Sequence, residues 1–566
     1  MEYIIFAVVI AGLVLLFMLK EFCNYKKSEK KFVQRLYDEY GVLPQREYKP
    51  GQLDVISRYF VKHKEGFCID DITWNDLNMD EVFMKMNYTY SAAGEEYLYY
   101  TLRKPCMDEE EFMRREEIID FFSKHPDDRT AYQFIYSKLG RTGKFSIYDY
   151  LEYLDELGER SNRSHYAALV LVLVSIGLLF IHIPLGLLAL VCVLIYNNIT
   201  YFKVKNEIDP YITSFAYIFR ILRTVKKLQG HKVAVLEEEF DVLKKCSSAM
   251  LGYEAGSFLI MSGGRMSGSG SPLDILLDFI RMGFHLDLIK FNQMLSEVRK
   301  HISDIDCMIT ILGKIETMIV IGEYRESLEY YCIPEFSREI SVDAEGLYHP
   351  LLENPVKNDI NSERSVLITG SNASGKSTFL KTVALNAIFA QTIHTCLAEH
   401  YTGAMFRVVS SMSLRDDVQG GESYYMVEIR ALKRIMDMIS LEGAPVLCFV
   451  DEVLRGTNTV ERIAASTQIL RNISARNCMC FAATHDIELT YLLENVYSNY
   501  HFSENIEEND ITFSYKIING RAQTRNAIKL LGIMGFSSDI INEAEAMAGN
   551  FLETGVWQML DGESAQ

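Results

Sequence analysis

Residues Gly370 to Ser377 read Gly-Ser-Asn-Ala-Ser-Gly-Lys-Ser and satisfy the pattern GxxxxGK[ST] in full. Each residue type there suits a phosphate. Gly370 and Gly375 free the backbone to curl its amides around phosphate oxygens, with Ser371, Asn372, Ala373 and Ser374 forming the arch between them. Lys376 supplies a cation for the outer phosphates and Ser377 a hydroxyl for Mg2+. Thr378 sits in the first turn of the helix that follows, where the partial positive charge of a helix N-terminus adds attraction. Further along, the apolar run Val446 to Val450 ends in Asp451-Glu452. Asp451 can hold Mg2+, usually through water, and Glu452 can polarise an attacking water. Another apolar run ends in Thr484-His485, which brings an imidazole toward a γ-phosphate. Between them, Gly420-Gly421-Glu422-Ser423 stands ahead of a helical pattern carried by Met426, Ile429, Leu432, Ile435, Met436 and Ile439, with Ser423 as its cap. One nucleotide needs one such cradle. A second implies a composite site completed by another subunit.

Positioning these groups requires strands that end together. From about Val342 the short apolar runs "SVLITG", "VLCFVDE" and "CMCFAATH" alternate with helical segments, which predicts a mostly parallel sheet covered on both faces. Upstream, residues 21–165 and 203–340 are helical in pattern. "SGGRMSGSGSP", Ser262 to Pro272, interrupts the second stretch and reads as a flexible connection. The expected fold is multidomain: an α-helical core and lever region with transmembrane helices, then a C-terminal α/β P-loop ATPase domain. The divisions are 1–20 (N-terminal span), 21–165 (cytoplasmic helical region), 166–202 (spanning hairpin), 203–340 (helical lever), 341–550 (ATPase domain) and 551–566 (tail).

The membrane reading rests on two apolar blocks. Tyr3 to Leu19 is an unbroken stretch of 17 residues, at the short end for a span. Met1-Glu2 offers no basic n-region and "MLKEFCNY" no small-residue cleavage site, so a cleaved signal peptide is disfavoured. Lys20, Lys26, Lys27, Lys30 and Lys31 place the carboxyl side in the cytoplasm and the N-terminus outside. The second block, Tyr166 to Phe202, would reach roughly 55 Å as one helix, too long for a single crossing. His182, Pro184 and Gly186 interrupt it, so a hairpin fits, with Arg160 and Arg163 before it and Lys203 and Lys205 after it on the cytoplasmic side. The expectation is a multi-pass protein of the cell membrane with a cytoplasmic ATPase domain.

The chain has 566 residues, 57 basic and 76 acidic. That balance counts against a broadly basic, DNA-gripping surface, though not against a local basic channel in a dimer. Eleven cysteines show no CxxC pairing, so zinc is not expected, and their scatter suits a reducing compartment.

Taken together, the motifs resemble the MutS family within the ABC-type ATPases. "ITGSNASGKSTFL" resembles its phosphate loop, "DDVQGGESYYMVEI" its signature segment, "VDEVLRGTNT" its metal-binding strand end and following loop, and "FAATHDIEL" its switch-histidine segment. "YHPLLENPVKND" is similar to the lead-in of the ATPase domain and residues 499–548 to its closing segment. Upstream, "TWNDLNMDEVFMKMNYTYSAAGEEYLYYTLRKPCMDEEEFMRREEIIDFF" is similar to the start of the helical core domain. The resemblance implies a Mg2+-dependent ATPase acting as a homodimer through its heads. Gly375, Lys376 and Ser377 would hold phosphate and metal, Asp451 and Glu452 would serve metal and water, and His485 would sense the γ-phosphate. Gly420, Gly421 and Ser423 would complete the partner's site. Tyr515 falls where the family often has a histidine against adenine, so it would stack on the base.

The departures bear on the client. A mismatch-reading N-terminal domain with its Phe-x-Glu wedge is not expected here, since the Phe502–Glu504 and Phe551–Glu553 occurrences lie in or beyond the ATPase domain. Pro355-Val356 replaces the usual aromatic ahead of "ND", and Thr524-Arg525-Asn526 replaces a Ser-Tyr-Gly. Two functions follow: a membrane-anchored ATPase clamping DNA, or an ATP-switched membrane scaffold or remodelling protein acting on a protein or lipid client.

Overall fold

The computed structural model describes the chain except residues 1, 209–210, 251–252, 254–279, 281, 372–373, 413–423, 456, 508–509, 523–527, 529–530, 532–534 and 560–566. It also leaves out the side chains of most of residues 2–18 and of 213, 424, 505–507 and 510–511. The chain divides into two compact units. The first comprises Met1–Glu65, Phe83–Thr101 and Asp108–Ser327; the second comprises Gly66–Val82, Leu102–Met107 and Leu328–Gln566.

The first unit is helical. Helix α1, Glu2–Asp38, begins within the apolar block and continues without a break through the lysine-rich stretch. No proline or glycine interrupts residues 13–38, so nothing in the sequence stops it at the lysines. The apolar stretch Tyr3 to Leu19 falls largely outside the described side chains. The lower part of α1 docks by Phe32, which packs edge-on to Tyr90 at 6.1 Å, and by the buried Leu36. Helices α2 (Ala92–Arg103) and α3 (Pro126–Leu139) belong to the same bundle.

Helices α4 (Arg163–Ile181) and α5 (Ile183–Ile208) form the hairpin, broken at His182. Each is long and apolar enough to cross a membrane by length and composition. Most of their large side chains are exposed, Phe180 by 89% and Ile181 by 82%, a pattern unlike that of a buried core hairpin. The two helices meet closely: a Cβ on Gly186 would lie 2.5 Å from the backbone nitrogen of Leu179. At the charged end of the hairpin the contacts turn polar, to helix α6 (Leu286–Lys300). Asn197 donates to the Gly283 carbonyl at 2.8 Å, and the Tyr201 hydroxyl to Asp287 at 2.7 Å.

Helix α7, Ile302–Glu326, is buried along most of its length and forms the spine of the unit. It approaches α2 so tightly that a Cβ on Gly313 would meet the Ala93 carbonyl oxygen at 2.6 Å. One turn on, Glu316 accepts the N–H groups of Tyr90 and Ser91 at 2.6 and 3.1 Å. The expected flexible connection, Ser262 to Pro272, lies outside the described residues.

The second unit is mixed α/β. A four-stranded sheet has the order β1-β5-β2-β3, formed by β1 (Glu335–Ser337), β2 (Val342–Leu347), β3 (Asn358–Ser362) and β5 (His400–Ala404). A six-stranded sheet has the order β10-β9-β4-β8-β7-β6. Its strands are β4 (Ser365–Thr369), β6 (Arg407–Ser411), β7 (Val446–Asp451), β8 (Cys478–Thr484), β9 (Tyr497–Glu507) and β10 (Asp510–Asn519). Pairings from β6 through β9 are parallel; only the β9–β10 edge is antiparallel. The strands β4, β6, β7 and β8 are buried at every residue, as continuous apolar runs in parallel sheets require. Helices α8 (Lys376–Thr392), α9 (Tyr424–Ser440) and α10 (Thr459–Ser474) accompany this sheet. A core of Leu432, Ile435 and Ile439 from α9 and Leu470 and Ile473 from α10 packs with Val446, Cys448 and Val450 of β7.

Candidate nucleotide-binding site

Parallel strands place their carboxyl ends on one side of a sheet, and crevices form outside those ends. β4, β7 and β8 are neighbours in register here: Thr369 pairs with Thr484, and Asp451 with Ala483. The three segments that follow these strands therefore converge. After β4 the backbone turns through Gly370 at φ 149°, where a Cβ would meet the Ser374 hydroxyl at 2.9 Å and the Phe502 carbonyl at 3.0 Å. Gly375, at φ 106°, starts α8, and a Cβ there would press on the Tyr515 ring at 3.2 Å. Only glycine meets both demands cheaply.

Ser371, Ser374, Gly375, Lys376, Ser377, Thr378, Asp451, Glu452 and Tyr515, all singled out from sequence, line one cavity of about 600 Å3. Asn372, Ala373, Gly420, Gly421 and Ser423 lie outside the described residues. His485 does not line the cavity but reaches it through Glu452, its Nε2 lying 2.7 Å from the carboxylate. Lys376 is buried and donates to the carbonyls of Gly370 and Ser371 at 2.8 and 2.7 Å. Burial pulls its pKa below the ordinary lysine value, against the opposing charges of Asp451 and Glu452.

The Ser377 hydroxyl donates to Asp451 Oδ2. The other oxygen of that buried carboxylate, Oδ1, has no protein partner, and neither has the Ser374 hydroxyl. A buried oxygen left unpaired is costly unless an ion or ligand satisfies it. A hard oxygen-ligated cation such as Mg2+ fits this donor set.

Glu452 stands just beyond the strand at φ 61°, an uncommon conformation for a non-glycine residue. Its amide donates to the Ala483 carbonyl at 2.9 Å, and its side chain lies between His485 and Arg455. Burial raises the Glu452 pKa. The hydrogen bond and charge of His485, with the charges of Arg455 and Lys376, outweigh that and hold it below the usual carboxylate range. Glu452 is thus kept ionised, as a base must be.

A second cavity of about 330 Å3 is lined by His349, Val356, Phe379, Phe502 and Tyr515 among others. Tyr515 takes φ 51° at a register shift in the β9–β10 pairing and is anchored by Asn358, whose amide donates to its carbonyl at 3.0 Å. Tyr515 borders both cavities.

Sequence reasoning passed over Lys381, Met412 and Arg455, all in the wall of the larger cavity. It also passed over Glu428 of α9, buried and accepting the Leu454 amide. Arg455 lay inside a quoted segment, but nothing in its spacing singled it out. Lys381 follows Lys376 by five positions, which is not a same-face spacing on a helix.

The matches to known proteins concentrate on this unit. Residues 366–552 match the family model for MutS domain V. Through this C-terminal half the chain is similar to the MutS family. The DNA mismatch repair protein MutS of Thermotoga petrophila is 33% identical over 272 residues, covering 46% of this chain and 34% of that protein. MutS of Rickettsia felis is 31% identical over 239 residues, 40% of this chain and 27% of its own length. MutS of a Thermus thermophilus strain is 29% identical over 222 residues, 38% of this chain and 27% of its own length. The chain thus spans about a third of the length of the curated MutS relatives it matches.

Proposed function

We propose that this chain is a Mg2+-dependent ATPase of the MutS type, anchored in the cell membrane, that works as a homodimer and couples ATP turnover to clamping DNA. One observation carries the ATPase reading: Ser377 and Asp451 are joined at the end of a phosphate-type loop with a buried Asp451 oxygen unpaired, beside an ionised Glu452 held by His485. Ser377 and Asp451 would hold the metal. When bound, Mg2+ neutralises charge on the β- and γ-phosphate oxygens. Lys376 faces those oxygens, Glu452 orients and deprotonates the attacking water, and His485 keeps Glu452 in place. Tyr515 gives the base a stacking surface.

The exposed hairpin α4–α5, with basic residues at its charged end, supports the membrane reading, with the ATPase domain cytoplasmic and the N-terminus outside. The role of the similar MutS proteins, DNA mismatch repair, supports DNA as the client. The Gly420–Ser423 segment supports a site shared between two copies.

The test uses detergent-solubilised full-length protein. Lys376→Ala should weaken ATP binding by about tenfold or more, since it removes a charge-assisted contact worth about 1.5–3 kcal/mol. Unchanged affinity would reject the site. Binding to duplex, mismatched and branched DNA should depend on ATP and fall steeply with salt. ATP turnover without binding to any of these at low salt would remove DNA and favour the scaffold reading.

A further inference from the structure

The stretch Gly66–Val82 belongs to the α/β unit although it lies nearly three hundred residues ahead of the phosphate loop in sequence. It carries a short helix, Asp71–Asp76, and is called the strap below. The strap runs beside β6, the edge strand of the six-stranded sheet. Ser410 donates its amide to the Thr73 hydroxyl at 3.1 Å and Met412 donates its amide to Asp76 Oδ2 at 2.9 Å. The Ser410 hydroxyl donates to the same Asp76 oxygen at 2.6 Å. Arg434 of α9 reaches both Asp70 and the Ser410 carbonyl. Two residues beyond Asp76, Asn78 accepts from the Lys381 ammonium at 2.8 Å.

Covering a sheet edge explains acceptors opposite the Ser410 and Met412 amides. Neutral acceptors would serve that purpose. A carboxylate 2% exposed is an expensive choice, and here it lies close enough to Lys381 to oppose the lowering of its pKa by burial. Lys381 and Met412 are both in the wall of the 600 Å3 cavity that holds Lys376, Asp451 and Glu452. Asp451 and Asp76 both act on Lys381 electrostatically. The strap thus carries two residues, Asp76 and Asn78, that each hold one wall residue of the candidate nucleotide cavity.

We propose that the strap is a positioning element for ATP hydrolysis: Asp76 and Asn78 hold Met412 and Lys381 on the side of the cavity where Asp451 and Glu452 act. The described residues of the phosphate loop take their own contacts from β4, the start of α8, Phe502 and Glu504. Nucleotide binding should therefore survive loss of the strap contacts while turnover falls, because small misplacement near reacting atoms can cost on the order of a hundredfold. The chain leaves the strap at Val82 and enters the helical unit at Phe83.

This assignment rests on the ATPase reading, and its test separates the two. In full-length protein, Asp76→Ala should lower kcat by about tenfold or more with KM and ATP binding within about threefold. Asp76→Asn should keep kcat well above that of Asp76→Ala, because the bonds from Ser410 and Met412 land on one oxygen that asparagine retains, although the charge beside Lys381 is lost. Asn78 has φ 55°, so Asn78→Gly keeps the backbone and removes the amide that holds Lys381, together with its exposed hydrogen bond to Glu81; it should lower kcat severalfold with little change in thermal stability. This second variant decides the matter if Asp76→Ala does not fold. Wild-type kcat in both Asp76→Ala and Asn78→Gly, or an Asp76→Asn as impaired as Asp76→Ala, overturns the assignment. A wild-type protein that hydrolyses no ATP overturns the ATPase reading and the strap with it.

Discussion

Glu452 joins two properties that sequence could not display together: a strained backbone at φ 61° and a carboxylate clamped by His485 and Arg455. Replacing it by glutamine keeps the shape and removes the base. Glu452→Gln should slow ATP hydrolysis by about a hundredfold or more and trap an ATP-bound dimer. Phosphate release combined with sedimentation of the solubilised protein measures both. A monomer hydrolysing at the wild-type rate would defeat the composite site as well as the base. Glu323 offers a test of a different kind. Burial pushes its pKa up to about 8, despite Arg129 and a hydrogen bond from Gln133. Its ordinary value is 4.5, so between 4.5 and 8 the folded chain holds a proton that the unfolded chain has lost. Stability from this group is then full at low pH and falls by about 1.4 kcal/mol per pH unit across that window. Glu316, raised to about 7 by burial, has the same sign. Glu323→Gln mimics the neutral acid, so it should unfold at a higher temperature than wild type at about pH 9 and show little difference at about pH 5. Thermal unfolding across that range decides it; a wild-type advantage at alkaline pH would mean that Glu323 is ionised and paired.

At the scale of elements, helix packing in the first unit turns on small residues. Gly313 lets α7 lie against the backbone of α2, and Gly94 leaves room for the Glu316 carboxylate, which a Cβ would approach to 2.1 Å. Gly313→Ala should cost about 1–3 kcal/mol through overpacking, read as a lower denaturation midpoint at unchanged slope. A neutral effect would show that the helices separate easily. Helix periodicity made these segments legible as helices. It could not show that two glycines were contact points, because in sequence a glycine inside a helix looks only like a weak position. The same holds for α1. Its apolar start and lysine-rich continuation read as separate pieces, yet one helix carries both, since helical hydrogen bonds are local and indifferent to whether side chains are apolar or charged.

On the scale of the whole molecule, the exposed hairpin is the feature that bears on the proposed membrane location. If α4 and α5 cross the bilayer, the break at His182 faces outward and the lysines after Leu19 face the cytoplasm. A cysteine at His182 should then react with a membrane-impermeant thiol reagent in intact cells, and Cys23 only after permeabilisation. Labelling of both, or release of the protein by alkaline carbonate, would reject this topology. Under that topology, two copies of the proposed ATPase unit on one membrane would have a raised effective concentration for each other and a planar approach, which suits the proposed site shared between copies.

Much of the candidate site was written in residue types alone: a glycine-lysine-serine loop, acidic and histidine strand ends, and apolar runs long enough to be buried strands. These are local facts, because phosphate-holding loops and buried parallel strands each tolerate few residue types over short spans. The tertiary structure decided what brings distant segments together. It set the strand order β10-β9-β4-β8-β7-β6 and put Asp451 against Ser377. It drew Gly66–Val82 and Leu102–Met107 out of a helical stretch into the α/β unit, and turned Tyr515 toward Gly375 at a register shift. None of these depends on near neighbours in the chain. Each follows from burying polar and apolar groups against partners tens to hundreds of residues away, which no spacing in a sequence encodes.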